Sequence, residues 1–453
     1  MSERSTDPVP FSNEHQRVSA DEFELENLTV ADKREIRRTR RAPAPDGSAW
    51  SWAITLFGTA VGAGILFLPI DAGSFGFWPL LLATILVGPM VFFSHRMYSR
   101  IVSASPVKGL DVLQVITSLA GRKRGLATAL MYWLAIYPIV LIYGISVTNT
   151  MDSFIVNQMG GPHVDRWLLA TICVGVMTGA YALGKKATLW FANLLVYPLI
   201  VALAAVSLYL IPYWDLDSFM AYKSDVSLWK AMLFVLPVLV FSFSHMAAVS
   251  QSALDVQKSH DGDVAGTEKE VSKIELITCT LLVGFTMFFV WSCTLALGSD
   301  GMAVVREENI PVLSYFANTT NAPFMAVVTP VVALCAIASS YFGHMLGTEE
   351  GTQYLLRAVA PKASEKWNPR VVRAGIYLFV FLSTVAVAIF NPSILSLISV
   401  VGGIFITLLV YIVPMLLFRH ATAFRHYAKQ PEAIFVFGLG IVIICVTVWQ
   451  MVA

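Results

Sequence analysis

Long apolar runs separated by short polar stretches fill the chain from residue 51 onward. Each run is close to the roughly 20 residues that a membrane-spanning helix needs. Strict alternation of apolar and polar positions is absent, so the pattern favours helices over the strands of a membrane barrel. We therefore predict an all-α membrane protein with eleven transmembrane helices, at residues 51–70, 76–103, 125–156, 166–183, 188–212, 228–254, 271–298, 323–347, 371–390, 393–418 and 433–452.

The polar segment before the first run, residues 1–49, ends in the basic stretch "KREIRRTRRAPAP". We expect this tail to be cytoplasmic and disordered, with its basic residues at the membrane surface. Eleven spans then leave all but four of the 31 Lys and Arg residues on the cytoplasmic side. Because cytoplasmic loops are enriched in Lys and Arg, this split predicts a cytoplasmic N-terminus and an external C-terminus. The four exceptions are Arg166, Lys223, Lys230 and Arg306.

Two of the runs carry residues that weaken a helix. The first contains "GTAVGAG" at Gly58–Gly64, and the sixth contains Pro237 followed by "VLVFSFSH". Interruptions at corresponding positions of two halves are typical of an inverted repeat with a binding site near mid-membrane. We predict a five-plus-five inverted repeat with helices 1 and 6 broken. The single transmembrane domain covers 50–453, with repeat one at about 50–212, repeat two at about 228–418 and one extra C-terminal helix at about 433–452.

The composition supports a position in lipid. The chain is 56% hydrophobic and 13% charged, whereas about a quarter of the residues of a soluble protein are charged. The net charge of +1 gives no reason to expect a nucleic acid as a partner. The five cysteines all lie in apolar runs and form no CxxC, so we interpret them as small buried hydrophobic residues.

Charged side chains are missing where the two broken helices would meet. Apart from cysteines and tyrosines, we place only His245 and His344 near mid-depth among titratable residues, with no Asp, Glu, Lys or Arg. A charged ligand would then be met by backbone dipoles, because freed N–H groups suit a carboxylate and freed carbonyls suit an ammonium or a metal cation. The candidate substrate-binding residues are Thr59, Ala60, Gly62, Ala63, Gly64, Phe241, Ser242 and Ser244.

Helix packing and nucleotide binding are two other interpretations of "GTAVGAG". Gly58 and Gly62 form a small-xxx-small pattern, which helix packing alone would explain. A nucleotide-binding glycine loop is disfavoured, because the strand–helix–strand context is absent.

Adjacent hydroxyls in the eighth run, Ser339 and Ser340, follow Ala336 by about one turn. Hydroxyl and carbonyl oxygens suit a hard cation such as Na⁺. The alternative is that both serines hydrogen-bond to their own helix. His245 and His344 are candidates for carrying a proton or gating the site, since histidine titrates near neutral pH, and a structural role is the alternative for each.

Several stretches together resemble one known family. "GTAVGAGILFLPIDAG", "AIYPIVLIYGISVTNT", "VFSFSHMAAVSQSA", "ENIPVLSYFAN", "SSYFGHMLGTEEG" and "NPSIL" occur in order over about residues 50–450. They resemble the bacterial hydroxy/aromatic amino acid permeases of the amino acid–polyamine–organocation superfamily, and most of all the serine/threonine transporter branch. The resemblance implies a leucine-transporter-like fold and uptake of serine or threonine across the bacterial cytoplasmic membrane, usually with a proton.

The resemblance also implies a candidate sodium site. In sodium-coupled members of the superfamily, first-helix carbonyls matching Gly58 and Val61 join an eighth-helix pattern that here is Ala336, Ser339 and Ser340. The aligned serine/threonine permeases carry a lysine at the position of Ser339, and "FSFNHSP" in place of "FSFSHM". A serine leaves the cation site open to an external ion, so we favour Na⁺ over H⁺ as the coupling ion.

We therefore expect a secondary active symporter, driven by Na⁺ or H⁺, that imports serine or threonine through the bacterial inner membrane. Its partners would be the amino acid, the cation and membrane lipid, with no cofactor. The alternatives are a proton-coupled permease for another neutral or aromatic amino acid and a passive channel, although no repeated filter or ring of like charges is present. No enzymatic activity is expected, because HExxH and clustered His and Cys ligands are absent.

Overall fold

The computed structural model describes residues 23–29, 32–33, 36, 48–261, 263–319, 323–364 and 366–452. Over these residues the regular elements are helices. Numbered in chain order, the main ones are α1 (Ala49–Ala60), α2 (Ala63–Gly73), α3 (Phe77–Ser103), α4 (Val112–Ala120), α5 (Arg122–Ser153), α6 (Arg166–Ala182), α7 (Lys185–Tyr209), α8 (Leu216–Ala221), α9 (Leu228–Phe243), α10 (Met246–Ser259), α11 (Val264–Glu308), α12 (Val312–Thr319), α13 (Pro323–Val359), α14 (Pro369–Phe390), α15 (Ile394–His420) and α16 (Pro431–Val452).

The helices follow the predicted apolar runs. Among the described residues, seven single helices are long and apolar enough to cross a membrane, and two bent pairs would each form one more span. This confirms the all-helical membrane architecture. α6 and α7 lie at the fourth and fifth predicted spans but have shorter apolar stretches, so the total of eleven spans and the orientation of the termini remain predictions. The seven single helices are α3, α5, α11, α13, α14, α15 and α16.

The two bent pairs are the broken helices that the sequence predicts. The axes of α1 and α2 differ by 62° and those of α9 and α10 by 47°. Val61, with φ −71° and ψ 98°, ends α1. In the second pair the helix continues through Pro237 and ends at Phe243, so proline does not make this break. The chain turns instead at Ser244 and His245, where the polar cluster begins.

The bundle is built around two long helices. α13 packs along α5 and α7, while α11 packs against α1, α2 and α3. α11 runs past the predicted end of its span, and Gly298, with φ 68°, makes a kink at that point. Only glycine adopts such a φ readily, which explains the residue found there.

A close contact between backbones joins α9 to α15. α15 contains two π-helical stretches, and one of them, Val401–Ile406, packs against α9. A Cβ atom built at Gly402 would overlap the carbonyl oxygen of Pro237. The glycine therefore sets how near these two helices can lie.

A cluster of amide side chains joins the ends of four helices. Asn309 and Asn391 end α11 and α14 in the left-handed conformation, with φ of 55° and 50°. Asn149 of α5 donates to the Asn309 carbonyl at 2.8 Å and to Asn391 Oδ1 at 3.1 Å. Arg166 of α6 donates to Asn149 Oδ1 at 2.7 Å. The asparagines of the "ENIP" and "NPSIL" stretches thus have a structural explanation.

The N-terminal tail differs in part from the prediction of disorder. Phe23 and Leu28 are buried, and the Glu24 N–H donates to the Ser118 carbonyl of α4 at 3.0 Å. The prediction was wrong for residues 23–29, because the polar average of the tail hides two apolar side chains that are buried, and the turn Leu25–Asn27 contacts α4. The rest of the tail, including most of the basic stretch, lies outside the described residues.

Gly402→Ala is expected to destabilise the protein by roughly 1–3 kcal/mol, because the new methyl group meets backbone rather than a side chain that can move aside. The matched control is Gly438→Ala in α16, where a Cβ meets nothing within 4 Å. That substitution should be neutral or stabilising by up to about 1 kcal/mol. Thermal unfolding of the purified variants measures both, and equal melting temperatures would contradict the close contact.

Candidate functional site

A narrow cavity lies between the two breaks. It has about 20 Å³ of water-accessible space, enough for about one water molecule. Five of the predicted substrate residues line it: Thr59, Ala60, Gly64, Phe241 and Ser244. The other lining residues are Ala135, Ile136, Ile139 and Tyr143 of α5, Met246 and Ala247 of α10, His344 of α13 and Ile406 of α15.

The start of α2 borders this cavity through Gly64, and of its first N–H groups that of Ile65 bonds to the Gly62 carbonyl at 3.2 Å. Its N-cap residue, Gly62, provides no side-chain hydrogen bond, and the first N–H groups of a helix have no partner within it. A Cβ at Gly62 would overlap Ser340 Oγ and lie 2.9 Å from the Tyr143 hydroxyl. Gly62 therefore lies against α13 and α5 rather than in the cavity wall, and its small size permits that approach. Ala63, also predicted, contributes backbone at the same helix start.

The two breaks are hydrogen-bonded to each other through Ser242. Its hydroxyl donates to the Gly64 carbonyl at 3.0 Å, and the side chain is fully buried. A Cβ at Gly64 would lie 2.8 Å from Ser242 Cα and 3.0 Å from Phe241 Cδ1. Ser242 thus fixes the spacing of the breaks instead of lining the cavity.

The residues of the candidate cation site are brought together in part. Ser340 Oγ donates to the Val61 carbonyl at 3.2 Å, and Ser339 Oγ donates to the Ala336 carbonyl of its own helix at 3.1 Å. Both serines are buried. The alternative of hydrogen bonding within the helix therefore describes Ser339 but not Ser340. Among the described residues Gly58 makes no side-chain hydrogen bond with either serine, and its role, like that of the other four, remains a prediction.

His344 is positioned by the same helix turn. Its Nδ1 lies 2.9 Å from the Ser340 carbonyl, and its ring centre is 5.6 Å from that of Tyr143. The carbonyl can only accept, so Nδ1 carries a hydrogen there. His344 lines the cavity and connects its wall to the serine pair.

The prediction that no carboxylate reaches the depth of the breaks is wrong. Glu275 of α11 lies 2.8 Å from His245 in the second break and is only 1% exposed. The ring of His95 of α3 stacks on His245, with 3.8 Å between centroids. Glu275 is close to the start of the predicted run 271–298, and His95 is in the last third of the predicted run 76–103, so position along the runs does not point to mid-depth. The packing of α3 and α11 against the break could not be read from those positions.

None of the cavity residues on α5 is predicted from the sequence. Tyr143 lies in a stretch that carries the family resemblance, "AIYPIVLIYG", but nothing in its spacing marks it as a cavity residue. The sequence does contain a signal for Met246, because this residue directly follows the polar cluster at the second break.

The sequence matches known proteins over nearly its full length. The tryptophan/tyrosine permease family matches residues 46–452. The serine transporter SdaC of Escherichia coli (strain K12) is 35% identical over 409 residues, which cover 88% of this chain and 94% of that protein. The serine transporter SdaC of Shigella flexneri matches over the same length with the same identity.

Solved structures with a similar fold are more distant in sequence. MhsT in complex with L-phenylalanine aligns with a TM-score of 0.58 at 14% identity, covering 90% of this chain and 99% of MhsT. A manganese transporter of Eremococcus coleocola, bound to an aromatic bis-isothiourea compound, aligns with a TM-score of 0.57 at 14% identity over 90% and 89% of the two chains. These likenesses confirm the leucine-transporter fold, and the matched proteins are transporters rather than enzymes.

Ser242→Ala is expected to loosen the first break, because it removes the hydroxyl donor of the Gly64 carbonyl. Amides at the start of α2 should exchange with deuterium about fivefold faster, the equivalent of about 1 kcal/mol for one hydrogen bond. The matched control is Ser207→Ala, since the buried Ser207 hydroxyl bonds to Leu203 of its own helix. Unchanged exchange at α2 in Ser242→Ala would contradict the assigned contact.

Proposed function

The chain belongs to the tryptophan/tyrosine permease family, and we propose that it is a cation symporter importing a small neutral hydroxy amino acid, serine or threonine. Membership of this family and the 35% identity to a serine transporter make it a multi-pass membrane protein that transports amino acids. The proposal adds the substrate, the coupling to a cation and a position in the bacterial inner membrane.

The main support for the substrate proposal is the cavity enclosed by both breaks. The uncapped start of α2 offers N–H groups to a carboxylate. The end of α1 offers carbonyls to an ammonium group, because the last carbonyls of a helix have no partner within it. Both helix ends meet at the cavity, so the N–H groups of α2 and the carbonyls of α1 can bind a zwitterion without any charged side chain.

The size of the cavity supports a small substrate. Its walls, including Phe241, Ile136 and Ile139, close on about 20 Å³ of water-accessible space. Any amino acid requires the breaks to move apart, and an aromatic one requires a much larger movement than serine. Ser244 at the wall can hydrogen-bond a substrate hydroxyl, which favours serine or threonine over alanine.

Two cations have separate candidate positions. Na⁺ would lie between α1 and α13, held by the carbonyls of Gly58, Val61 and Ala336 and the hydroxyls of Ser339 and Ser340. To bind it, each hydroxyl must turn so that a lone pair, rather than its hydrogen, faces the ion. H⁺ would be carried by a histidine near the breaks, either His245 or His344.

Transport is tested with purified protein in liposomes loaded with unlabelled L-serine. Labelled L-serine should accumulate by counterflow, with competition by L-threonine and weak competition by L-tryptophan and L-tyrosine. Gly64→Ala should lower the rate at least about tenfold, because its methyl group meets Ser242 and Phe241. Gly343→Ala is the matched control, since its Cβ meets nothing within 4 Å. Preferred exchange of aromatic amino acids would contradict the substrate, and uptake without accumulation would indicate a passive channel.

Ser339→Ala tests the sodium site. It removes one proposed ligand, so the Na⁺ concentration for half-maximal serine uptake should rise about tenfold, the equivalent of about 1.4 kcal/mol. Thr329→Val is the matched control, because the buried Thr329 hydroxyl also bonds within α13, to Met325. Unchanged sodium activation in Ser339→Ala, or full uptake driven by a pH gradient without sodium, would argue against this site.

A further inference from the structure

A buried acid–base cluster lies beside the second break and is not part of the cavity wall. His245 Nε2 is 2.8 Å from Glu275 Oε2, and these side chains are 0% and 1% exposed. The ring of His95 stacks on that of His245. Three titratable groups, from α3, α11 and the break itself, therefore share one space away from solvent.

The hydrogen bonds of His95 make it neutral. Its Nε2 lies 3.3 Å from the backbone nitrogen of His245, and a backbone N–H can only donate, so Nε2 is the acceptor. Its Nδ1 lies 3.0 Å from the Val91 carbonyl and therefore carries the hydrogen. A second proton on His95 would sit on Nε2 and point directly at the backbone N–H of His245. It would also place a cation directly on the ring of His245.

The contact between His245 and Glu275 holds one proton. His245 Nδ1 faces the Phe243 carbonyl at 3.1 Å, so this nitrogen carries a hydrogen. Nε2 faces a carboxylate oxygen at 2.8 Å, which requires a hydrogen between the two. With that proton the pair is neutral overall, as imidazolium–carboxylate or as imidazole–carboxylic acid. Without it, one ring nitrogen of His245 presents a lone pair to an oxygen atom, either the Glu275 carboxylate or the Phe243 carbonyl, and the pair carries an uncompensated buried charge.

Among the residues that the structure describes, no other charged side chain is hydrogen-bonded or ion-paired to His245 or Glu275. Asp71 of α2 pairs with Arg306, and Asp255 of α10 pairs with Lys258. Arg96 of α3 turns to Ser272 and Glu432, and α1, which packs on α11, has no titratable residue. Two weak acids complete the surroundings. Cys279 is one turn from Glu275 on α11, and Tyr411 of α15 is hydrogen-bonded to Ser94, which in turn contacts His95.

The pair also holds the second break in its closed form. The His245 ring bonds to Phe243, the last residue of α9, while its backbone begins α10. Ser244 and Met246, on either side of His245 in the chain, line the cavity. Loss of the proton would weaken the contact between His245 and Glu275 that holds this break, so proton binding and closure of the cavity would favour each other.

We propose that the His245–Glu275 pair, with His95 as its neutral neighbour, binds a proton that is taken up together with the substrate. This inference rests on the proposed function and adds one coupling ion and its carrier. The proton comes from outside water, remains between Nε2 and Oε2 while the cavity is closed, and leaves on the other side when the break opens. The site is independent of the serine pair.

Calorimetry of L-serine binding tests the proposal at constant sodium, in two buffers of different ionisation enthalpy. The wild type should take up as much as about one proton on binding, and its affinity should be about tenfold higher at acidic than at alkaline pH. Glu275→Gln cannot supply an acid, so both effects should vanish. Glu270→Gln, on the same helix with a side chain 39% exposed, should keep the wild-type pH profile.

Two results overturn the proposal. One is wild-type serine binding without proton uptake at any pH, a measurement that needs no variant. The other is a Glu275→Gln protein that binds serine with the wild-type pH profile. If Glu275→Gln does not bind serine, His245→Gln is measured in its place, and a wild-type pH profile in that variant overturns the proposal in the same way. A wild type that binds no amino acid is a different result, because it removes the proposed function and this inference with it.

Discussion

Backbone polar groups away from water must find hydrogen-bond partners, and this constraint shapes the whole site. Breaking two helices frees N–H groups and carbonyls in the middle of the bundle. Two of these are satisfied by side chains of other elements: Ser340 bonds to the Val61 carbonyl, and His95 bonds to the backbone N–H of His245. Ser242 adds a bond to the Gly64 carbonyl inside α2. Each break is therefore held by a different neighbouring helix, and a shift of that helix changes the cavity.

Small residues make this arrangement sterically possible. Gly62 lets α13 and Tyr143 approach the first break, and Gly64 lets the second break approach the first. Gly402 of α15 likewise allows a close approach to α9, at Pro237. The glycines of "GTAVGAG" thus serve close packing as well as helix interruption. Helix interruption and close packing therefore both apply at Gly62 and Gly64, because unwound backbone without close neighbours would remain unsatisfied.

The sequence predicted the broken helices, their pairing and five cavity residues, because those features depend on local composition. Glycine clusters and mid-run polar residues weaken a helix wherever the helix is packed. The sequence did not reveal Glu275, His95 or Tyr143 as neighbours of the site. Their positions depend on how α3, α5 and α11 lie against the breaks, and a count along each apolar run contains no information about tilt or rotation. The burial of Phe23 and Leu28 was missed for a similar reason, since α4, which this segment contacts, is distant in the chain.

The two cation candidates lie at different breaks, and this separation has a consequence for coupling. A cation at Ser339 and Ser340 would act on the end of α1, whereas a proton at His245 and Glu275 acts on the junction of α9 and α10. The proposed substrate would touch both breaks, because the cavity lies between them. Each ion could thus favour the closed cavity through its own helix, and the hydrogen bond from Ser242 to Gly64 connects the two breaks. Coupling then needs no direct contact between ion and substrate, since both stabilise the same closed arrangement of the helices.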